Sequence, residues 1–276
     1  MSKVALDGVS PVLLLVLQLL PSVALLWLVV YIRRIPLGKR RDIARFAWLG
    51  VLEPGLAFLV FLVGLTDIKA GAATLIQSSE AIMIVIVSAC LLGVKPTMRF
   101  VVLSLLAFAG LLLALGFANP KDLQGNGYFG IAMLFATSAI AACYVVLSSR
   151  IASGTDPVAI VAWQQSVSLI FALLVLALEA FWRGQLPMLP SKPDVWLVVI
   201  VSGIVQYALA FSLYMRALGS VSANVAGSFL NLMPIFGLAG GFLFLSERLS
   251  LVQLLGAAIT IVAVTLISRG DHAVAH

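Results

Sequence analysis

Two carboxylates stand inside long apolar stretches of this chain, and they are the residues most able to do chemistry there. Glu80 lies near the middle of one stretch, within Gln77-Ser78-Ser79-Glu80, and Glu53 opens Glu53-Pro54-Gly55 in the stretch before it. An acidic group at the centre of a membrane helix costs about 2.5–3.5 kcal/mol even on insertion scales, so its presence calls for a reason. Gln77 precedes Glu80 by three residues and shares its helix face, and Thr74 extends that polar stripe by another turn. A carboxyl in this setting can carry a proton, bind a cationic group, or do both. The competing reading is a protonated structural carboxyl bonded to a neighbouring helix.

Glu53 has a different setting. Proline withholds an amide and clashes with the preceding turn, and the following glycine loosens the next one, so a kinked or interrupted helix is expected here. A broken helix carrying a carboxylate is a familiar way to build a transport site. The bland alternative is a Glu53 near a helix end that only reaches for water.

The elements that must position these residues follow from composition. The chain has 276 residues, of which 62% are hydrophobic and 10% charged, with a mean hydropathy of +1.16. Soluble domains carry roughly 25% charged residues, and a soluble fold of this size cannot bury so much apolar surface. The excess faces lipid, which excludes soluble enzymes, disordered chains and disulfide scaffolds. Cys90 and Cys143 both lie in apolar runs and say little about redox compartment.

Runs long enough to cross a bilayer span approximately 10–32, 45–66, 70–93, 97–117, 127–150, 156–181, 193–217, 221–245 and 250–268. The expected fold is therefore all-α, a polytopic membrane protein of about nine transmembrane helices. Continuous apolar runs exclude a membrane β-barrel, whose strands alternate. The first run is too long for a cleaved signal peptide, and no small-x-small site follows it. Arg33, Arg34, Lys39, Arg40, Arg41, Arg45, Lys95, Arg99, Arg150, Arg216 and Arg269 fall on one side, against six basic residues on the other. The positive-inside rule then places the 33–45 loop and the C-terminus in the cytoplasm of a cell (inner or plasma) membrane, with the N-terminus outside.

The chain also resembles itself. A shift of 146 residues lays Ser10-Pro11-Val12 on Asp156-Pro157-Val158 and Gln18 on Gln164. A shift of 153 lays Glu53 on Gln206, Ala70 on Ala223, Ala73 on Ala226, Leu92 on Leu245 and Lys95 on Arg248. Helices one to four match six to nine, so two membrane repeats are expected over 1–124 and 125–276, with the fifth helix lacking a partner. Completed to five helices each, the repeats would be inverted in the membrane, the architecture of secondary transporters.

Local motifs carry a resemblance. Ala217-Leu218-Gly219-Ser220-Val221-Ser222-Ala223-Asn224-Val225-Ala226, then Asn231-Leu232-Met233-Pro234-Ile235-Phe236, Leu245-Ser246-Glu247-Arg248-Leu249-Ser250 and Gly256 resemble the EamA-type transporters of the drug/metabolite transporter superfamily. That resemblance covers about residues 10–268 and implies ten helices in two inverted five-helix repeats, working as exporters. Against the family pattern the first helix is missing, Ala81 stands at a usual proline, and Val94 replaces a glutamate.

The remaining polar positions complete the expected site. Gln206 matches Glu53 through the repeat. Asn224 and Asn231 lie two helical turns apart, where they can touch substrate or act as interhelical glue. Trp163, beside Gln164 and Gln165, is the preferred aromatic wall, with Tyr207, Tyr144 and Tyr214 as further candidates. The substrate-binding set is thus Glu80, Gln77, Glu53, Gln206, Trp163, Asn231, Asn224 and Tyr207, with Glu80 as proton-coupling candidate. Gly237 to Gly241 reads as close packing, Glu247-Arg248 as a turn, and Glu179 with Arg183 as a surface pair. His272 and His276 lack companions for a metal, so no metal and no cofactor are expected.

No histidine lies within a span and no phosphate-binding Gly-x-x-x-x-Gly-Lys occurs, which disfavours an intramembrane enzyme and an ATP-driven pump. The expected function is secondary export of small metabolites (amino acids or related amphipathic compounds) by alternating access. A channel or structural membrane protein is the alternative. Expected partners are a small-molecule substrate and the lipid bilayer, with a homodimer as an option and no nucleic acid.

Overall fold

A computed structural model describes residues 2–6, 9–38, 40–93, 97–114, 127–150, 155–185, 187–220, 236, 240–241, 243–244 and 250–271. Among them every regular element is a helix. Five are long and apolar enough to cross a membrane: Pro11–Ile32, Ala70–Leu91, Tyr128–Ser149, Pro157–Arg183 and Pro193–Leu218. Three shorter apolar helices, Val51–Thr66, Met98–Ala114 and Leu251–Ile267, accompany them. Eight of the nine runs expected from hydropathy are therefore helical, and the run at 221–245 lies almost wholly outside the described residues. Large apolar side chains such as Leu105, Phe181 and Leu255 are more than half exposed, as lipid-facing residues of a polytopic membrane protein are.

The helices are α1 Ser2–Ala5, α2 Pro11–Ile32, α3 Arg40–Ala47, α4 Ala57–Thr66, α5 Ala70–Gln77, α6 Ser79–Leu92, α7 Met98–Ala114, α8 Tyr128–Ser149, α9 Pro157–Arg183, α10 Pro193–Ser202, α11 Ala210–Leu218 and α12 Leu251–Asp271. Two wide turns interrupt the series: Val51–Leu56, which is broken at Glu53, and Gly203–Leu209, which is π-helical throughout. Boundaries follow local chemistry. α2 and α9 each begin with proline at the first turn, where its missing amide is harmless. Each is capped by the residue before: the Leu13 amide donates to Ser10 Oγ at 3.4 Å, and the Val158 amide to Asp156 Oδ1 at 2.8 Å. α6 and α9 end on Gly93 and Gly184 at φ +71° and +66°, the left-handed stop that glycine adopts most easily.

The chain forms two compact units, and each draws on both halves of the sequence. The first holds residues 1–63 and 147–220, the second 64–146 and 221–276. In the first unit α2 packs along α9, and its core joins Leu14, Leu15, Leu19, Leu62, Ala172, Val199 and Tyr207. In the second unit α7 lies along α12 over small residues. Gly110 sits against the Gly256 carbonyl, Gly256 against the backbone of Ala114 and Gly110, and Thr260 Oγ1 donates to the carbonyls of Gly256 (2.9 Å) and Ala107 (3.3 Å). Asp67 ties down the start of α8, accepting the Gly127 amide on its carbonyl at 2.8 Å and the Gly130 amide on its carboxylate at 3.1 Å.

Candidate functional site

The broken helix expected at Glu53-Pro54-Gly55 is present. Glu53 leaves the helical region for extended backbone at φ −148°, ψ 129°, and the Glu53–Pro54 peptide is cis. Beyond the break the Ala57 amide bonds the Leu52 carbonyl, five residues back. The second π turn repeats this feature with no proline in it: the Ala210 amide bonds the Val205 carbonyl, again five back. Ala57 and Ala210, and Leu52 and Val205, are 153 residues apart, the same shift that relates Glu53 to Gln206. Each of those two polar residues follows directly on the carbonyl that takes the long bond. A π turn swells the helix locally and commonly marks a functional position.

The first unit also holds these turns by paired contacts. Gly50 sits on the main chain of Gln164 in α9, and Gly203 on the main chain of Gln18 in α2. Gly50 and Gly203 are related by the 153-residue shift, and Gln18 and Gln164 by the 146-residue shift. Phe58 and Phe211, likewise 153 apart, face each other at 5.8 Å between ring centroids. Tyr207 completes this aromatic group at 4.8 Å from Phe58 and stacked on Phe211 at 6.4 Å.

Behind the aromatics lies a polar cluster that reading along the chain did not single out. Tyr207 is fully buried, and its hydroxyl donates to Gln18 Oε1 at 3.2 Å. The same Gln18 donates from Nε2 to Ser202 Oγ at 2.7 Å and to Ser2 Oγ at 3.3 Å. Gln165 donates from Nε2 to the Tyr207 carbonyl at 2.8 Å, and Ser22 donates to Gln165 Oε1. Gln18, Ser22, Gln165 and Ser202 are all shut off from solvent, so these amides and hydroxyls satisfy one another. The sequence signals for this cluster were the pairing of Gln18 with Gln164 through the repeat, Gln165 beside Trp163, and Tyr207 as an aromatic candidate.

The expected site residues are distributed as follows. Glu53, Gln206, Trp163 and Tyr207 fall in the first unit, and Glu53, Gln206 and Trp163 are half-buried. Trp163 meets Trp27 edge to face at 5.0 Å, and the Trp27 indole donates to Ser166 Oγ at 2.9 Å. The Trp163 indole N–H is buried and meets no acceptor among the described residues, and the Ser168 hydroxyl beside Gly55 is in the same condition. Glu80 and Gln77 belong to the second unit. Ser78 interrupts the helix for one residue while keeping right-handed dihedrals, so the span runs on from Ala70 to Leu91. Glu80 is 7% exposed, while Gln77 and Thr74 are half-buried, Thr74 donating to the Gly71 carbonyl at 2.9 Å. Asn224 and Asn231, with Glu247-Arg248, His272 and His276, lie outside the described residues.

Tyr144, another aromatic candidate, is buried in α8. Glu179 and Arg183 form the expected pair, at 2.9 Å with the arginine well exposed. Among the described residues no cluster of His, Cys, Asp and Glu could hold a metal ion.

Comparison with known proteins gives a consistent result. A family described as the EamA-like transporter family matches residues 1–116 and 128–269. The chain is 25% identical over 252 residues to the uncharacterized transporter YcbK of Bacillus subtilis, covering 90% of this chain and 80% of that protein. It is 26% identical over 234 residues to a chloroplastic WAT1-related protein of Arabidopsis thaliana, covering 80% of this chain and 55% of that one. An uncharacterized transporter of Archaeoglobus fulgidus shares 24% over 246 residues, 84% of this chain and 81% of its own. A crystal structure at 18% identity has the same fold, with a TM-score of 0.72 over 100% of this chain and 93% of the other.

Proposed function

This chain belongs to the EamA-like transporter family and is a multi-pass membrane transporter; from that premise we propose that it exports small metabolites, amino acids or related amphipathic compounds, by alternating access. The observation carrying this reading is the pair of π turns at repeat-related positions, each presenting a polar side chain beside the long hydrogen bond. A broken helix in one repeat, matched by a π turn in the other, puts polar groups where secondary carriers bind substrate.

In this reading Glu53 and Gln206 receive the polar head of the substrate in the first unit. Glu53 supplies the negative charge that an ammonium requires, and Gln206 supplies an amide able to donate and accept. Trp163 offers both a ring face and a buried N–H that meets no acceptor among the described residues, which suits a carboxylate or carbonyl on the same substrate. Tyr207 shapes the site from behind, because Gln18 already occupies its hydroxyl. Glu80, with Gln77 on its face, is the proton carrier of the second unit. Asn224 and Asn231 are assigned to substrate contact as well, on their two-turn spacing in the sequence. The two repeats run over 1–124 and 125–276, and the basic loop 33–45 and the C-terminus face the cytoplasm of the cell membrane.

The test is counterflow. Proteoliposomes loaded with unlabelled protein amino acids are diluted into a trace of the same mixture uniformly labelled with ¹⁴C. Transient, saturable accumulation supports the proposal. Flux that rises linearly with concentration and shows no trans-stimulation would identify a channel instead, and no flux above empty liposomes would remove amino acids from the substrate class.

A further inference from the structure

The buried cluster around Tyr207 is richer than helix packing requires. Tyr207 stands within the second π turn, directly after Gln206, and is held at both ends, its hydroxyl by Gln18 of α2 and its carbonyl by Gln165 of α9. α2 and α9 are the helices that the 146-residue shift relates. Gln18 is itself fixed by Ser202, the last residue before that π turn, and Gln165 by Ser22. The second π turn is therefore anchored before its first residue, and at the hydroxyl and the carbonyl of Tyr207. The first π turn has proline to define it, whereas the second, Gly203-Ile204-Val205-Gln206-Tyr207-Ala208-Leu209, contains no residue that enforces such a turn.

Side chains from outside must therefore hold the wider turn. Gln165 adds a buried side-chain donor to the Tyr207 carbonyl inside the turn, at 2.8 Å. We infer that Gln18 and Gln165 are positioning residues of the transport site: by clasping Tyr207 at both ends they hold the second π turn open and set the direction in which Gln206 faces. This rests on the proposed role of Gln206, but the state of the turn can be measured without any substrate.

The experiment uses the full chain in proteoliposomes with Cys90→Ala and Gln206→Cys, keeping the native Cys143 of α8 as an internal control. A cationic methanethiosulfonate reagent modifies both thiols, and mass spectrometry follows the rate at each. Tyr207→Phe removes only the hydroxyl that Gln18 accepts, so it is the mild variant; Gln18→Leu and Gln165→Leu remove the clasp from either side. The expected result is a change of fivefold or more in the rate at the thiol introduced by Gln206→Cys, in all three variants, with the Cys143 rate altered less than twofold.

Gln18→Leu combined with Tyr207→Phe should change the rate no more than Gln18→Leu alone, because the bond to the Tyr207 hydroxyl is already lost in the single variant. Rates at position 206 within twofold of the parent in Tyr207→Phe would overturn the inference, as would parallel changes at Cys143, which report general loosening. Counterflow, measured in vesicles of the corresponding clasp variants that keep Gln206, separates the two ideas. A lost clasp effect with intact counterflow rejects the positioning role alone, while an intact clasp effect without counterflow rejects the transport reading alone.

Discussion

Gly203 presses against the main chain of Gln18 so closely that only a hydrogen atom fits on its Cα. Gly50 makes the corresponding approach to Gln164, and in both cases the nearest obstructing atom is a backbone carbonyl oxygen, which cannot swing away; at Gly203 the Pro21 ring crowds in as well. A methyl group at either site overpacks the crossing, a fault that costs about 1–3 kcal/mol. Gly203→Ala and Gly50→Ala should each lower the melting temperature of the detergent-solubilised protein by several degrees. Gly240→Ala, where a Cβ meets nothing within 4 Å, should not. Equal melting temperatures for all three would mean that these crossings do not organise the first unit.

Glu80 should matter to coupling more than to substrate recognition. Glu80→Gln keeps the shape and hydrogen-bonding capacity of the side chain while removing its titration. The expected outcome is that an imposed pH gradient no longer drives accumulation in vesicles, while counterflow at equal pH keeps at least half its rate. Unchanged response to the gradient in both Glu80→Gln and Glu80→Ala would end the proton-carrier role.

The caps of α2 and α9 offer an internal comparison, since Ser10 and Asp156 occupy matching positions. Losing such a cap costs about 0.5–2 kcal/mol. The Asp156 bond is shorter, at 2.8 Å against 3.4 Å, and its carboxylate also complements the helix dipole. Asp156→Ala should therefore destabilise more than Ser10→Ala in thermal melts. The reverse order would show that the caps are set by something other than these bonds.

In the second unit, Gly110→Leu should be far more damaging than Thr260→Val. The leucine would have to displace the Gly256 backbone and the side chains of Ile259 and Thr260. The valine loses only a hydroxyl bonded to two carbonyls, and such membrane hydrogen bonds average about 0.6 kcal/mol. Size-exclusion profiles and melting curves of the two variants check the order. A well-folded Gly110→Leu protein would mean that α7 and α12 do not cross through small residues.

The architecture was readable along the chain because hydropathy reports on lipid directly, and eight of the nine runs appear as helices. The first broken helix was also readable, since Pro54 announces its missing amide. Nothing comparable announces the second. Gly203-Ile204-Val205-Gln206 has no local defect, and its turn exists because Gln165 and Gln18 stabilise it from other helices. Those glutamines were not singled out for the same reason. A single Gln in an apolar helix looks like any interhelical contact until its partner, 184 residues away at Ser202, is known. Gln206 and Glu53 could be paired from the repeat alone, whereas the burial of Tyr207 behind them required packing that no local pattern encodes. Asn224 and Asn231 were legible as a pair, and the described residues do not include them.

Each compact unit is assembled from two distant stretches of chain, and this sets the order in which the molecule can be built. When the ribosome has delivered residues 1–63, half of the first unit has entered the bilayer with its polar glutamine and serine facing no partner. Ser202, Gln165 and Tyr207 arrive more than a hundred residues later. Nascent helices must therefore wait in the membrane, individually inserted and not yet packed, and the early ones are exposed to quality-control proteases for that interval. Premature termination anywhere before residue 207 would leave both units unfinished, so a truncated product should be cleared rather than persist as a half-active carrier.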